Sequence, residues 1–260
     1  MSRIKTAASL GAAVLPLILA SLAAIQTTED TELRNLDVTR WDCANQFEGT
    51  AQSQAGRERN RMKNRWPVNL SAFTVEPLDT AAFLKKVREY DSRLKSIHRS
   101  ELTGRQKDEL DSYENQIVSL TGWLVLAYAG TAETTNCGSS NFHDWHLEIF
   151  DNLSEHAPQI GDLTPTICEI TPRTEQRIYR DNVRIQALTG FFRLQDGSYK
   201  ATGHKAKKVW VTGYLLWDDE HNGSADVGST IQRLGRNGLH QPWRSTAWEI
   251  HPVMKVEVRP

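Results

Sequence analysis

Two stretches far apart in the chain alternate bulky apolar side chains with acids and histidines: Asp144-Trp145-His146-Leu147-Glu148-Ile149 and Trp248-Glu249-Ile250-His251-Pro252-Val253. Successive side chains of a β-strand face opposite ways. Asp144, His146 and Glu148 therefore share one face, and Glu249 and His251 separate from Trp248 and Ile250 in the same manner. If the apolar faces close one core, the carboxylates and imidazoles are presented outside it. That arrangement serves a metal or proton-transfer centre, or simply a hydrated surface.

Three more runs have strand character: Ile117–Tyr128, broken by Gly122; Pro165–Thr171; and Lys208–Trp217, with Gly213 at its centre. With residues 143–150 and Arg244–Val258, the latter bent at Pro252, they make five strands, since proline cannot donate to a ladder. A glycine in mid-strand marks a bend of the kind that a closed barrel of short strands requires. The motif Leu/Val-Thr-Gly-aromatic recurs at Leu120–Trp123, Leu188–Phe191 and Val211–Tyr214, read as one solution to bending a strand, reused. Thr174–Gln186, with Thr174 as candidate N-cap, has helical character and follows the third strand. This is the element order of an oligonucleotide/oligosaccharide-binding (OB) barrel. The expected fold is mainly β with a helical N-terminal segment (α+β), the barrel occupying residues 116–260.

Upstream, residues 79–115 read as helical. Phe83, Val87, Tyr90, Leu94 and Ile97 fall on one stripe that starts at Asp79 or Thr80, and a second helix runs from about Arg105 to Asn115. Residues 25–78 are polar and partly irregular. Their basic run, Arg57, Arg59, Arg61, Lys63 and Arg65, is read as a solvated charge run in preference to an anion-binding arm.

Residues 1–24 have the three parts of a secretory signal peptide: Arg3 and Lys5, an uncharged run, and small residues at Ser21, Ala23 and Ala24. An uncleaved anchor helix is the alternative; Pro16 and the small residues favour cleavage. No later run is apolar for long enough to span a membrane, so the expected location is periplasmic or extracellular. The formal net charge of −1 falls by two once Arg3 and Lys5 leave, which does not mark a general polyanion binder. Of the three cysteines, Cys137 and Cys168 are the expected disulfide because both flank the His146 strand, leaving Cys43 as a buried thiol.

Charge is segregated within the barrel region. Acids alone occupy 133–172, whereas basic residues dominate 173–208. Arg173, Arg177, Arg180 and Arg184 would line up on a helix, as an anion-binding stripe for phosphate or sulfate. The reading with more weight lays that helix over the acidic strands. His146, His251 and Glu249 are the candidate metal ligands, although no HExxH or paired CxxC spacing is present. The alternative there pairs the strand acids with Arg173 or Arg244. Asp218–Gly223 has oxygens at calcium-loop spacing, but Ser229 stands where a bidentate Glu is needed, and a polar turn is expected. No nucleophile elbow, Walker loop or dinucleotide fingerprint occurs. Trp123, Trp145, Trp210, Trp217 and Trp248 lie in expected strands and are assigned to packing.

Five phrases appear in a fixed order: Glu133-Thr134-Thr135-Asn136-Cys137, Asp144-Trp145-His146-Leu147-Glu148, Glu169-Ile170-Thr171-Pro172-Arg173, Val211-Thr212-Gly213-Tyr214 with Glu220-His221 beyond it, and Trp243 to Val253. Together they resemble a family of exported bacterial proteins without an assigned biochemical function. The similarity runs from Arg57 to Val258, with Thr189–Phe191 a local departure. It implies a shared OB-like fold and shared polar positions, and brings no substrate.

The leading expectation is thus an exported ligand-binding protein with a polar site of Asp144, His146, Glu148, Arg173, His221, Glu249 and His251. Arg177, Arg180 and Arg184 favour an anionic ligand, and nucleic acid is an admissible partner. One rival is a metal-dependent hydrolase of phosphodiesterase type, its cation held by His146, His251 and a carboxylate. The other is a structural envelope protein. Whether the chain is an enzyme stays open, and a divalent metal ion is the one cofactor the sequence admits.

Overall fold

The computed structural model describes residues 30–235 and 239–258; the expected signal segment lies outside the described residues. In chain order the elements are α1 (Gln54–Lys63), β1 (Glu76–Asp79), α2 (Thr80–Leu94), α3 (Gly104–Glu114), β2 (Ile117–Ala129), β3 (Trp145–Phe150), β4 (Thr166–Ile170), α4 (Pro172–Arg180), α5 (Ile185–Leu188), β5 (Phe191–Arg193), β6 (Tyr199–Ala201), β7 (Lys208–Trp217), β8 (Arg233–Leu234), β9 (His240–Gln241) and β10 (Trp248–Val258). No helix among them is long and apolar enough to cross a membrane.

Five strands close a barrel in the order β2–β3–β4–β10–β7–β2. All neighbours are antiparallel except β4 and β10, which run parallel. These are the five strands read from the sequence, in the order of an OB barrel. The alternation has the expected sense. Trp145, Leu147 and Ile149 of β3, Cys168 and Ile170 of β4, Trp217 of β7, and Trp248 and Ile250 of β10 join one buried apolar cluster. His146, Glu148, Glu169, Glu249 and His251 alternate with them and so lie on the wall's outer face.

The helices cover this wall. Asp79 caps α2 by accepting the Ala82 N–H at 2.8 Å, and Phe83, Val87, Tyr90 and Leu94 then join the main core. The helix stops at Lys95, whose φ of 50° turns the chain away, so Ile97 leaves the stripe and is 55% exposed. A capping box between Thr103 and Gln106 starts α3. The polar region read as irregular contains α1, begun by the Ser53 hydroxyl accepting from Gly56 N–H. Its buried residues are Gly56, Arg59, Asn60 and Lys63, with no apolar stripe to announce it. Thr171, not Thr174, is the N-cap of α4; Thr174 accepts the Thr171 N–H at 3.1 Å. The expected single helix over 174–186 is two, broken between Arg180 and Ile185.

Gly122 and Gly213 mark close approaches between barrel strands. A Cβ on Gly213 would lie 2.4 Å from Pro252 O and 2.6 Å from Ile250 Cγ2, beside a register shift in the β7–β10 ladder. The third copy of the motif differs: Gly190 joins α5 to β5, where a Cβ would meet only ordinary contacts. Because the atom met at Gly213 is backbone, Gly213→Ala is expected to cost about 1–3 kcal/mol. A urea midpoint unchanged from the parent would mean that β7 and β10 separate freely there.

The disulfide is Cys43–Cys137, with Cα atoms 6.2 Å apart, which corrects the expected Cys137–Cys168 pair. Cys168 sits across from Leu147 and Ile250 and points into the barrel, fully buried, whereas Cys137 lies in the loop outside it. The wall itself separates them.

Candidate functional site

Three neighbouring strands bring the outer-face groups together. His146 of β3 is directly across from Glu169 of β4, and His251 of β10 follows Ile250, which is paired with Cys168. Glu169 consequently lies between two imidazoles: its Oε1 is 3.1 Å from His146 Nε2 and its Oε2 is 3.1 Å from His251 Nδ1. His251 Nδ1 also makes a 3.0 Å hydrogen bond to Glu249, which leaves Nε2 facing Asp144 Oδ2 at 3.8 Å. Asp144, Glu169 and His251 each offer one donor atom, all within 4.8 Å of one another. This buried group can hold a metal ion. Donors about 2.0–2.2 Å from one ion lie no more than about 4.4 Å apart, so an ion would draw this set inward.

The site is outside the barrel core yet sealed from solvent. Asp144 and Glu169 are 1% and 2% exposed, and Glu249 and His251 are fully buried. The cover consists of α1, the segment leading into it from Trp41, and the loop between β2 and β3. Lys63 of α1 brings its ammonium to 3.7 Å from Asp218 and 3.9 Å from Glu249. Arg244 donates to Glu249 at 2.7 Å and to Asp218 at 3.3 Å. Farther along α1, Arg59 pairs with Asp219, which Arg99 joins to Glu114. Surface hollows of about 550 and 220 Å³ lie elsewhere, lined by Asn45–Gly49 with Arg61 and by residues of α1 and α3 with Arg99 and Leu102.

Burial without full pairing controls the protonation of these groups. Burial raises the Asp144 carboxyl above its ordinary range, and takes Glu133, on the covering loop, to about 7. Burial works the same way on Glu169, but His146, Lys63 and His251 overcome it and hold that carboxylate well below its usual pKa. For His251 burial opposes the charge, while Glu169 and Glu249 prevail and lift the imidazole to about 9. Several polar atoms nevertheless have no hydrogen-bond partner: both Asp144 oxygens, Glu169 Oε2, His251 Nε2 and His146 Nδ1. Asn136 lies against Asp144 without hydrogen-bond geometry. Unsatisfied buried carboxylate oxygens are costly, and a positive partner among them would lower that cost.

Of the residues expected at the site, Asp144, His146, Glu249 and His251 are brought together. The converging donors differ from the expected His146, His251 and Glu249. Glu249 is occupied by Arg244 and by His251 Nδ1, and His146 by Glu169, so neither belongs to the converging set. Glu148 is on the same face but farther along β3, where its Oε2 is 3.4 Å from His240 Nε2. Arg173 faces the cover, donating to the carbonyls of Cys43 and Ala44 and to Asn64. His221 stays half-exposed beside Asp226 and Trp243. The arginine stripe does not form: Arg177 donates to Val68 O, Arg180 is exposed, and Arg184 lies past the end of α4 against Tyr179.

Glu169 is the member of this buried group that was not among the residues expected at the site. The signal was present, because in Ile167-Cys168-Glu169-Ile170 a lone acid occupies the outer face of a buried strand. Lys63 and Asp218 gave no comparable signal, since each becomes a site neighbour only through tertiary folding. No protein-family model, curated protein or solved structure matches the chain.

Proposed function

We propose that this is an exported protein whose OB-like barrel binds one divalent cation at Asp144, Glu169 and His251. The observation that carries the reading is the buried cluster of Asp144, Glu169 and His251, with donor atoms within 4.8 Å of one another and with both Asp144 oxygens and the facing His251 Nε2 lacking hydrogen-bond partners. One nitrogen and two oxygen donors suit zinc, manganese or ferrous iron. Glu249 would fix the His251 tautomer so that Nε2 is the ligand, and Arg244 would hold Glu249 in turn. Enclosure favours a bound ion over a polymeric ligand, because the donors have almost no surface to offer one. Export is supported by the signal-like start and by the Cys43–Cys137 disulfide, which suits an oxidising compartment. The ordered motifs support, on this reading, a relationship to the exported family they resemble.

Elemental analysis of protein purified without a chelating tag tests the proposal. About one zinc, manganese or iron per chain is expected, lost in His251→Ala and in Glu169→Gln. At a free ion concentration near 100 Kd the metal should stabilise the fold by about 2.7 kcal/mol, an increment removed by EDTA. Affinity should rise with pH, since His251 must give up its Nε2 proton to bind. Metal-free protein that stays so after incubation with each ion would leave a purely structural ion network. The continuous pairing of Arg59, Asp219, Arg99 and Glu114 favours that second reading.

A further inference from the structure

The proposed cation site is closed by chain that lies outside the five barrel strands. The cover, residues 41–66 and 133–137, buries Trp41, Cys43 and Ala44 in a small cluster with Cys137 and Phe142, separate from the main core. Its helix α1 buries no large apolar side chain. The remaining contacts are polar or cation–π, among them the buried pairs of Arg59 and Lys63 with Asp218, Asp219 and Glu249 and the stacking of Arg173 over Trp41. Thr50 N–H donates to Thr134 O at 2.9 Å, Asn64 to Thr135 O at 2.9 Å, and Thr135 to Asn60 at 3.2 Å. Arg173 ties the Cys43–Ala44 carbonyls down to α4. A segment with few apolar contacts and mostly polar ties opens more readily than the core beneath it. One covalent link spans the two halves of this cover, between Cys43 and Cys137, and Cys137 is next in sequence to Asn136, which lies against Asp144.

We infer that the Cys43–Cys137 disulfide is a redox-controlled staple on the cation site, locking the cover while oxidised and letting the ion exchange once reduced. The inference rests on the cation reading of the site. The reductant is a dithiol. One of its thiolates attacks the partly exposed Cys137 sulfur, forming a mixed disulfide and releasing Cys43 as a thiolate that takes up a proton. The second thiol of the reductant then displaces Cys137, so the reagent leaves as a disulfide and the protein holds two thiols. Cys168, sealed inside the barrel, takes no part.

The test uses the full exported chain loaded with one equivalent of zinc. Release to a chromogenic chelator is timed for the oxidised protein, for protein reduced with a phosphine, and for the Cys43→Ser/Cys137→Ser double variant. The variant cannot rebind zinc through free thiols, and the reduced parent serves if the variant folds poorly. Release at least ten-fold faster in both opened forms is expected, with unchanged zinc stoichiometry. Equal release rates overturn the staple. Deuterium uptake, measured without metal, separates the two ideas. Faster exchange in 41–66 and 133–137, with β3 and β10 unchanged, supports the staple even if zinc never binds, in which case the cation reading alone falls. Unchanged uptake in those segments overturns the staple whatever the metal content.

Discussion

Arg244→Ala is expected to lose about 3–5 kcal/mol of stability, the largest effect of any single truncation proposed here. The guanidinium is fully buried, donates to both Glu249 and Asp218, and stacks over Trp243 at 4.0 Å. Removing it strands two carboxylates in a space that water does not reach, leaving Lys63 nearly 4 Å from each, Arg59 3.9 Å from Asp218 and His251 3.0 Å from Glu249 as partial compensation. The damage extends to the site, because Glu249 orients His251. Urea unfolding at neutral pH measures the loss. A deficit below about 1 kcal/mol, the size expected of exposed pairs, would show that solvent enters and screens the network. Arg244→Lys should recover only part, since one ammonium cannot span both acceptors as a forked guanidinium does.

Glu148→Gln is expected to stabilise the protein, and only at high pH. Both Glu148 oxygens are buried without a hydrogen-bond partner, and burial lifts the carboxyl to about 8 against the partial opposition of Arg193 and Arg244. The unfolded chain has the ordinary value near 4.5. Between pH 4.5 and 8 the unfolded state therefore sheds a proton that the folded state retains. Stability is greatest below that window and falls as pH rises through it. A neutral amide of the same shape escapes the loss, giving a gain of about 2–4 kcal/mol at pH 8 and almost none at pH 4. His240, 3.4 Å from Glu148 and pulled down by burial to about 4, is neutral at pH 6 and 8 and adds its own destabilisation only towards pH 4. Urea curves at pH 4, 6 and 8 decide the matter. A difference that does not vary with pH would mean that Glu148 ionises inside the fold at no cost.

The barrel was legible because its signals are local. Trp145, Leu147 and Ile149 alternate with His146 and Glu148 within six residues, and Gly122 and Gly213 stand where strands crowd each other. The cover was not legible, because α1 hides in a polar sequence: the face it buries carries Arg59, Asn60 and Lys63, which read as solvated when no partner is in view. Opposite charges far apart in the chain found each other there, whereas the expected match of α4 with the acidic strands did not occur. Arg173 turned to main-chain carbonyls instead. Of the two arginines weighed as partners for the strand acids, Arg244 fills that role. The cysteine pairing failed for a reason that alternation supplies in hindsight, since Cys168 shares a face with Ile170. The β5–β6 and β8–β9 hairpins are too short to stand out from turns.

One seam in the wall has consequences for how the molecule is made. The last wall strand, β10, is bonded to β7 on one flank and to β4 on the other, the parallel side through a single aligned pair, Ile250 with Cys168. Until those residues arrive, two sheet margins stand open at once, the state that invites chains to stick to one another. A polypeptide lacking the stretch from Trp248 onward would leave the margins of β4 and β7 unpaired and open to chaperones and proteases.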